Sequence, residues 1–143
     1  MGDIDIKGGT FNGSMTVAQV HKGSLNVKGG YYDLAPSVKS QIPAYAKYII
    51  NAIDSAFKDG SVIISVTGGT FVNFDPSANP EGIDTSYAAK GYYSKDNQNG
   101  TFSVLQSAAK VIDNAKSAGV KVTLDNLEKN SAIDKTADAT YNV

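Results

Sequence analysis

His21 is the only histidine in the chain, so any catalytic triad would have to be built on it, and no Gly-x-Ser-x-Gly elbow exists to deliver a serine nucleophile. Standing before Lys22-Gly23-Ser24, it reads as an exposed turn residue. Asp75, Glu81 and Asp84 share one loop and could in principle ligate calcium or act as a general acid and base pair. Their spacing fits no calcium loop, however, and Asp75-Pro76 is the start of a turn. Glycosidase carboxylates must also be held on rigid elements at a fixed separation, which a Pro- and Gly-rich loop does not provide. The absence of cysteine removes thiolate catalysis, disulfides and Cys-based zinc sites. The expectation is a chain with no catalytic residue, no metal and no cofactor. Tyrosine is the remaining candidate. Tyr31-Tyr32 and Tyr92-Tyr93 form two pairs, and strand alternation turns Tyr31 and Tyr93 outward, where a flat ring could meet a sugar or a protein partner. Asn12-Gly13-Ser14 and Asn99-Gly100-Thr101 match the glycosylation acceptor pattern, but both are accounted for as Asn-Gly turns.

The elements that position these residues recur. Gly68-Gly-Thr-Phe71 has two earlier counterparts, Gly8-Gly-Thr-Phe11 and Gly29-Gly-Tyr-Tyr32. Two residues before each first glycine stands Ile6, Val27 or Val66, and four before it stands Ile4, Leu25 or Ile64. The third residue after it is always aromatic, as Phe11, Tyr32 or Phe71. Such a pattern marks stacked repeats, each of which buries its apolar side against its neighbours. Paired glycines suit a sharp corner where a Cβ would strike the rung above or below. The predicted core is therefore Ile4, Ile6, Phe11, Leu25, Val27, Tyr32, Ile64, Val66 and Phe71, stacked in columns inside one β-solenoid.

The first glycine pairs are 21 residues apart and the next 39, so the second rung carries an insertion, placed at residues 33–47, with a helical turn after Pro36. Met15–Val20 reads as a strand with Met15 and Val17 on one face. Tyr48–Ile53 aligns with it, although an amphipathic helix over residues 44–57 has a compatible period. Lys58-Asp-Gly-Ser61 resembles Lys22-Gly-Ser24 ahead of the next glycine strand, and Val62, Ile64 and Val66 point inward. Gly91-Tyr-Tyr93 and Asn99-Gly-Thr-Phe-Ser-Val104 read as a hairpin closing the last rung. Val104, Ala108, Val111 and Ala115 then recur at helical spacing up to Gly119, and Val120, Val122 and Leu124 alternate as a short strand before a polar tail. Two regions follow: residues 1–104 as a solenoid, and 105–143 as a helix, strand and tail.

With 143 residues the chain fits one domain. Thirteen basic against fourteen acidic residues leave no field to attract nucleic acid or an anionic membrane. The first residues, Met-Gly-Asp-Ile-Asp-Ile, lack the basic and apolar regions of a secretory signal, and no run approaches the ~20 apolar residues of a membrane helix.

From Ile4 to Val104, and above all in Ile63-Ile-Ser-Val-Thr-Gly-Gly-Thr-Phe-Val-Asn-Phe-Asp-Pro-Ser77, Glu81-Gly82, Ala89-Lys-Gly-Tyr-Tyr93 and Asn99-Gly-Thr-Phe-Ser-Val104, the sequence resembles the repeats of parallel β-helix proteins related in fold to pectate lyases. Such repeats occur in surface proteins of gut bacteria and in virion proteins of their tailed phages. The resemblance implies a mainly β protein, a short right-handed parallel β-helix, here followed by a C-terminal α-helix. It carries over no catalytic cluster, because the motif is a folding motif and the outward positions near the rungs are mostly Thr, Asn, Ser and Lys. The function expected is that of a noncatalytic structural protein of a virion or the extracellular space, a phage fibre or capsid decoration. Its expected partners are copies of itself or other virion proteins, because the first rung has nothing ahead of it to cover its edge. The alternatives are a carbohydrate-binding adhesin using Tyr31 and Tyr93, and a polysaccharide lyase or hydrolase.

Overall fold

The protein is mainly β, and the strands of its glycine-paired repeats form where apolar and polar residues alternate. The computed structural model describes residues 2–39, 41, 48–78 and 86–119. Three strands open the chain: β1 (Asp3–Ile6), β2 (Thr10–Gly13) and β3 (Ala18–Val20). The second repeat supplies β4 (Gly23–Val27), β5 (Tyr31–Leu34), the short helix α1 (Pro36–Lys39), β6 (Ile50–Ala52) and the short helix α2 (Asp54–Lys58). The third gives β7 (Val62–Val66) and β8 (Thr70–Val72), and the chain then forms β9 (Tyr92–Asp96), β10 (Thr101–Gln106) and α3 (Ala108–Ala118).

The strands assemble into three sheets, ordered β1-β4-β7, β2-β5-β8-β10-β9 and β3-β6. Successive repeats pair in parallel, with Ile4 opposite Leu25 and Leu25 opposite Ile64 in the first sheet. In the second, Phe11 is opposite Tyr32 and Tyr32 opposite Phe71. Their rings stack nearly flat, at centroid separations of 5.1 and 4.8 Å. The last two strands reverse the rule, β10 running antiparallel to both β8 and β9.

The double-glycine corners have a clear physical cause. The second glycine of each pair, Gly9, Gly30 and Gly69, has φ between +100° and +114°, a region L side chains avoid. The first glycine answers to crowding: a Cβ on Gly29 would stand 2.6 Å from the Lys7 carbonyl oxygen, and one on Gly68 only 2.4 Å from that of Lys28. Hydrogen bonds from Tyr31 N–H to the Gly9 carbonyl and from Thr70 N–H to the Gly30 carbonyl tie each corner to the one before.

The core runs through the second and third repeats, with Leu25, Val27, Tyr32, Leu34, Ile50, Val62, Val66 and Phe71 all buried. Several expectations need correction. Ile4 is in register with the core column but 61% exposed, because β1 is an edge strand with no neighbour beyond it among the described residues. Ile6 and Phe11 are only partly buried for the same reason. Met15 is 58% exposed, and the strand there is confined to Ala18–Val20. Asn12-Gly13 is not a turn but the end of β2, where the Thr16 carbonyl oxygen leaves no room for a side chain on Gly13.

The insertion is divided. Asp33 and Leu34 stay in β5, and the surplus of 18 residues splits into eleven between β5 and β6 and seven between β6 and β7. Ala18 therefore pairs with Ile50, one residue off the alignment of Met15 with Tyr48. Strand and helix both occur in that stretch, as β6 and α2. Gly23 pairs with Val62, so Lys58–Ser61 belongs to the extra segment and is not the counterpart of Lys22–Ser24. The C-terminal helix starts later than its period suggested, since Val104 and Leu105 remain in β10. Ser107 caps it by accepting a 3.2 Å hydrogen bond from Lys110 N–H, and Gly119 ends it at φ 68°. The strand expected at Val120–Leu124, the polar tail and residues 42–47 lie outside the described residues.

Candidate functional site

The outward face of the five-stranded sheet gathers the candidate tyrosines. Tyr32 and Leu34 are buried, so alternation along β5 sends Tyr31 and Asp33 outward. A row runs across the strands from Thr10 to Tyr31, Thr70, Ser103 and Lys95, each opposite the next. Two residues along β10 from Ser103, Leu105 faces Tyr93. Tyr31 is 41% and Tyr93 53% exposed. Three interstrand steps separate β5 from β9, so the strands that carry the two tyrosines lie about 14 Å apart across the sheet at ~4.8 Å per step.

Between them the surface is a hydroxyl and amide network. Thr70 Oγ1 and Ser103 Oγ lie 3.2 Å apart, and the Asn97 amide donates to Ser103 Oγ at 2.8 Å and to Thr101 Oγ1 at 3.0 Å. Asp33 is held by Lys39 Nζ at 2.6 Å. This arrangement offers ring faces, hydroxyl and amide groups, the Lys95 ammonium and the Asp33–Lys39 ion pair, but no nucleophile beside a base.

The carboxylate candidates separate. Asp75 accepts hydrogen bonds from Ser77 N–H and Oγ at 2.9 and 2.8 Å, so it shapes its own turn. Glu81 and Asp84 lie outside the described residues. His21 is exposed between β3 and β4. Among the described residues no cluster of His, Cys, Asp or Glu could hold a metal ion. The perturbed titrations are structural. The Lys28 ammonium and the Asn26 amide, donating to Asp5 at 2.5 and 2.9 Å, hold its carboxyl below the usual range, and Ser61 does the same for Asp59. Burial pushes the Tyr32 phenol up to about 12.

Two further surfaces escaped the sequence reading. An open cleft of about 470 Å3 is lined by Phe57, Lys58, Gly60, Val62, Ile63, Ile64 and Ser86, with Ile63 59% exposed. The other is a ladder of polar contacts on the first sheet, where Ser24 Oγ donates to Asp3 and Asn26 and Lys28 to Asp5. That ladder was legible from the 21-residue offset, which places Asp3 against Ser24 and Asp5 against Asn26. The cleft was not, because it depends on where α2 packs.

Comparison of the chain with protein families, with curated proteins and with solved structures finds no match.

Proposed function

We propose that this chain is a noncatalytic structural module, a short right-handed parallel β-helix whose work is rigid display within a larger assembly, as in a phage fibre or capsid decoration. The observation that carries the reading is the in-register stacking of three repeats, with Phe11, Tyr32 and Phe71 in one ring column and Ile4, Leu25 and Ile64 in another. Three parallel ladders fed by one continuous chain are what consecutive coils of a solenoid produce, and a right-handed crossover is the rule for parallel strands. Backbone ladders and stacked rings make a stiff scaffold, which suits rigid display. Proteomic analysis of purified virions from the replicon that encodes the chain tests it: its recovery at a fixed copy number per particle is expected, and its confinement to the soluble lysate would reject the virion role.

A second reading, a carbohydrate-binding adhesin or receptor-binding module, is favoured by Tyr31 and Tyr93 flanking a neutral hydroxyl network on one sheet face. A glycan array comparing the native chain with Tyr31→Ala and Tyr93→Ala separates the two. Binding lost in both variants supports recognition of a glycan, and an array blank for the native chain supports pure display.

A further inference from the structure

We propose that Asn99 is a site of spontaneous deamidation, at which the turn between β9 and β10 itself assists attack of the Gly100 nitrogen on the Asn99 side-chain amide. The chain holds two Asn-Gly pairs, Asn12-Gly13 and Asn99-Gly100, and in each the missing side chain of glycine leaves its nitrogen open to ring closure. The structure treats the two differently. Asn12 and Gly13 lie in β2, in register with Asp33 and Leu34 of β5, and the Gly13 carbonyl accepts from Ala35 N–H. The Thr16 carbonyl oxygen also crowds Gly13. Closing a five-membered ring there would twist the main chain out of a ladder to which it is bonded. Asn99 and Gly100 are exposed in the turn, with Gly100 at φ 82°. Among the described residues no group accepts from Gly100 N–H.

The side-chain carbonyl of Asn99 is held as a reacting carbonyl would be. Its Oδ1 accepts from Thr101 N–H at 3.1 Å and from Thr101 Oγ1 at 2.6 Å. The Asn97 amide donates to the same Thr101 Oγ1 at 3.0 Å, which leaves the hydroxyl proton directed at Oδ1. The peptide between Gly100 and Thr101 is fixed from its other side, where the Gly100 carbonyl accepts from Asn73 N–H at 2.8 Å. An Oδ1 that reaches the N–H two residues on folds its side chain back over the intervening nitrogen, here that of Gly100. That nitrogen bonds to Asn99 Cγ and gives its proton to solvent, while Oδ1 takes the carbonyl electron pair as an oxyanion facing two donors. The pair then returns, the Cγ–Nδ2 bond breaks, and Nδ2 leaves as ammonia with a proton taken from water. Water opens the resulting succinimide at either carbonyl, giving aspartate or isoaspartate. Both products add a negative charge. Isoaspartate also adds a carbon to the main chain just ahead of the Gly100 carbonyl, whose bond to Asn73 ties the turn to the end of β8.

Peptide mapping of the full chain aged at neutral pH, with isoaspartate counted by enzymatic methylation, tests this. In urea the two Asn-Gly pairs are expected to react at similar rates. In the native chain Asn99 should outpace Asn12 by about tenfold or more, because Asn12 must first leave its ladder. Thr101→Val removes the hydroxyl donor and keeps the size of the side chain. It is expected to slow Asn99 by about tenfold, less than the ~10²–10³ lost with a donor in an enclosed oxyanion hole. Thr101→Ser should keep the native rate. Equal native rates at the two sites, or a faster Asn12, would overturn the proposal. So would a Thr101→Val chain in which Asn99 reacts as fast as in the native chain or faster, since the hydroxyl would then restrain the amide instead of activating it. The contrast between native chain and urea requires no substitution and so decides the matter even if Thr101→Val fails to fold.

Discussion

The carbonyl oxygen of Lys28 stands 2.4 Å from the point a Cβ would occupy on Gly68, so one repeat is pressed against the next at a corner only glycine can make. That contact joins residues 40 positions apart and turns a sequence pattern into a packing constraint. Gly68→Ala is expected to force the strands apart and cost about 1–3 kcal/mol, the usual range for overpacking. Urea denaturation measures it, as a lower midpoint with an unchanged slope.

The ring column gives a graded series. Phe71 is fully buried and stacks on Tyr32 at 4.8 Å, whereas Phe11 is only half covered at the open end. Phe71→Ala should cost about 3–5 kcal/mol, and Phe11→Ala clearly less. Equal losses in the two variants would mean that the first repeat is as well covered as the third.

Alkaline pH should act through Tyr32. Its phenol donates to the Gly29 carbonyl at 2.5 Å, and burial raises its pKa from 10.0 to about 12. The unfolded chain therefore loses this proton first, so above pH 10 the native state holds more protons and stability falls, the loss continuing until about pH 12. Thermal melts from pH 8 to 12 should show a steeper decline for the native chain than for Tyr32→Phe. The variant should start lower at pH 8, by about 0.5–1.5 kcal/mol for the missing hydrogen bond.

Tyr31→Ala and Tyr93→Ala are expected to leave stability within about 0.5 kcal/mol of native, as exposed side chains with little packing do. A large loss at either site would reassign that ring from recognition to structure. Differential scanning calorimetry of the two variants decides this independently of any ligand.

Helix α3 depends on its caps. Ser107→Ala removes the acceptor for Lys110 N–H and should cost about 1 kcal/mol, read as reduced helical circular dichroism and faster amide exchange in the first turn. Ser107→Asp should restore it.

Much of this architecture was legible because glycine pairs and aromatics are strong local markers: the offsets of 21 and 39 residues between corners are the offsets of the parallel register. What failed to read through was physical in each case. Alternation shows to which side Ile4 points, but not that β1 stands at the edge of its sheet, where no described residue covers it. The run Tyr48-Ile-Ile-Asn-Ala-Ile53 lacks clean alternation, so a slip of one residue against β3 could not be seen. Val104 and Leu105 suit a strand as well as a helix, and only the Ser107 cap fixes where the period changes. Of the candidate site, Tyr31 and Tyr93 follow from alternation alone, while the hydroxyl network between them requires the antiparallel pairing of β10 with β8, which no repeat announces.

The central claim is that three repeats stack in order, and nuclear Overhauser contacts among the Phe11, Tyr32 and Phe71 rings test it most directly. Centroid separations of 5.1 and 4.8 Å predict contacts from the Tyr32 ring to both phenylalanines, and none between Phe11 and Phe71, which the tyrosine holds apart. A Phe11–Phe71 contact, or a Tyr32 ring touching only one of them, would contradict the stack.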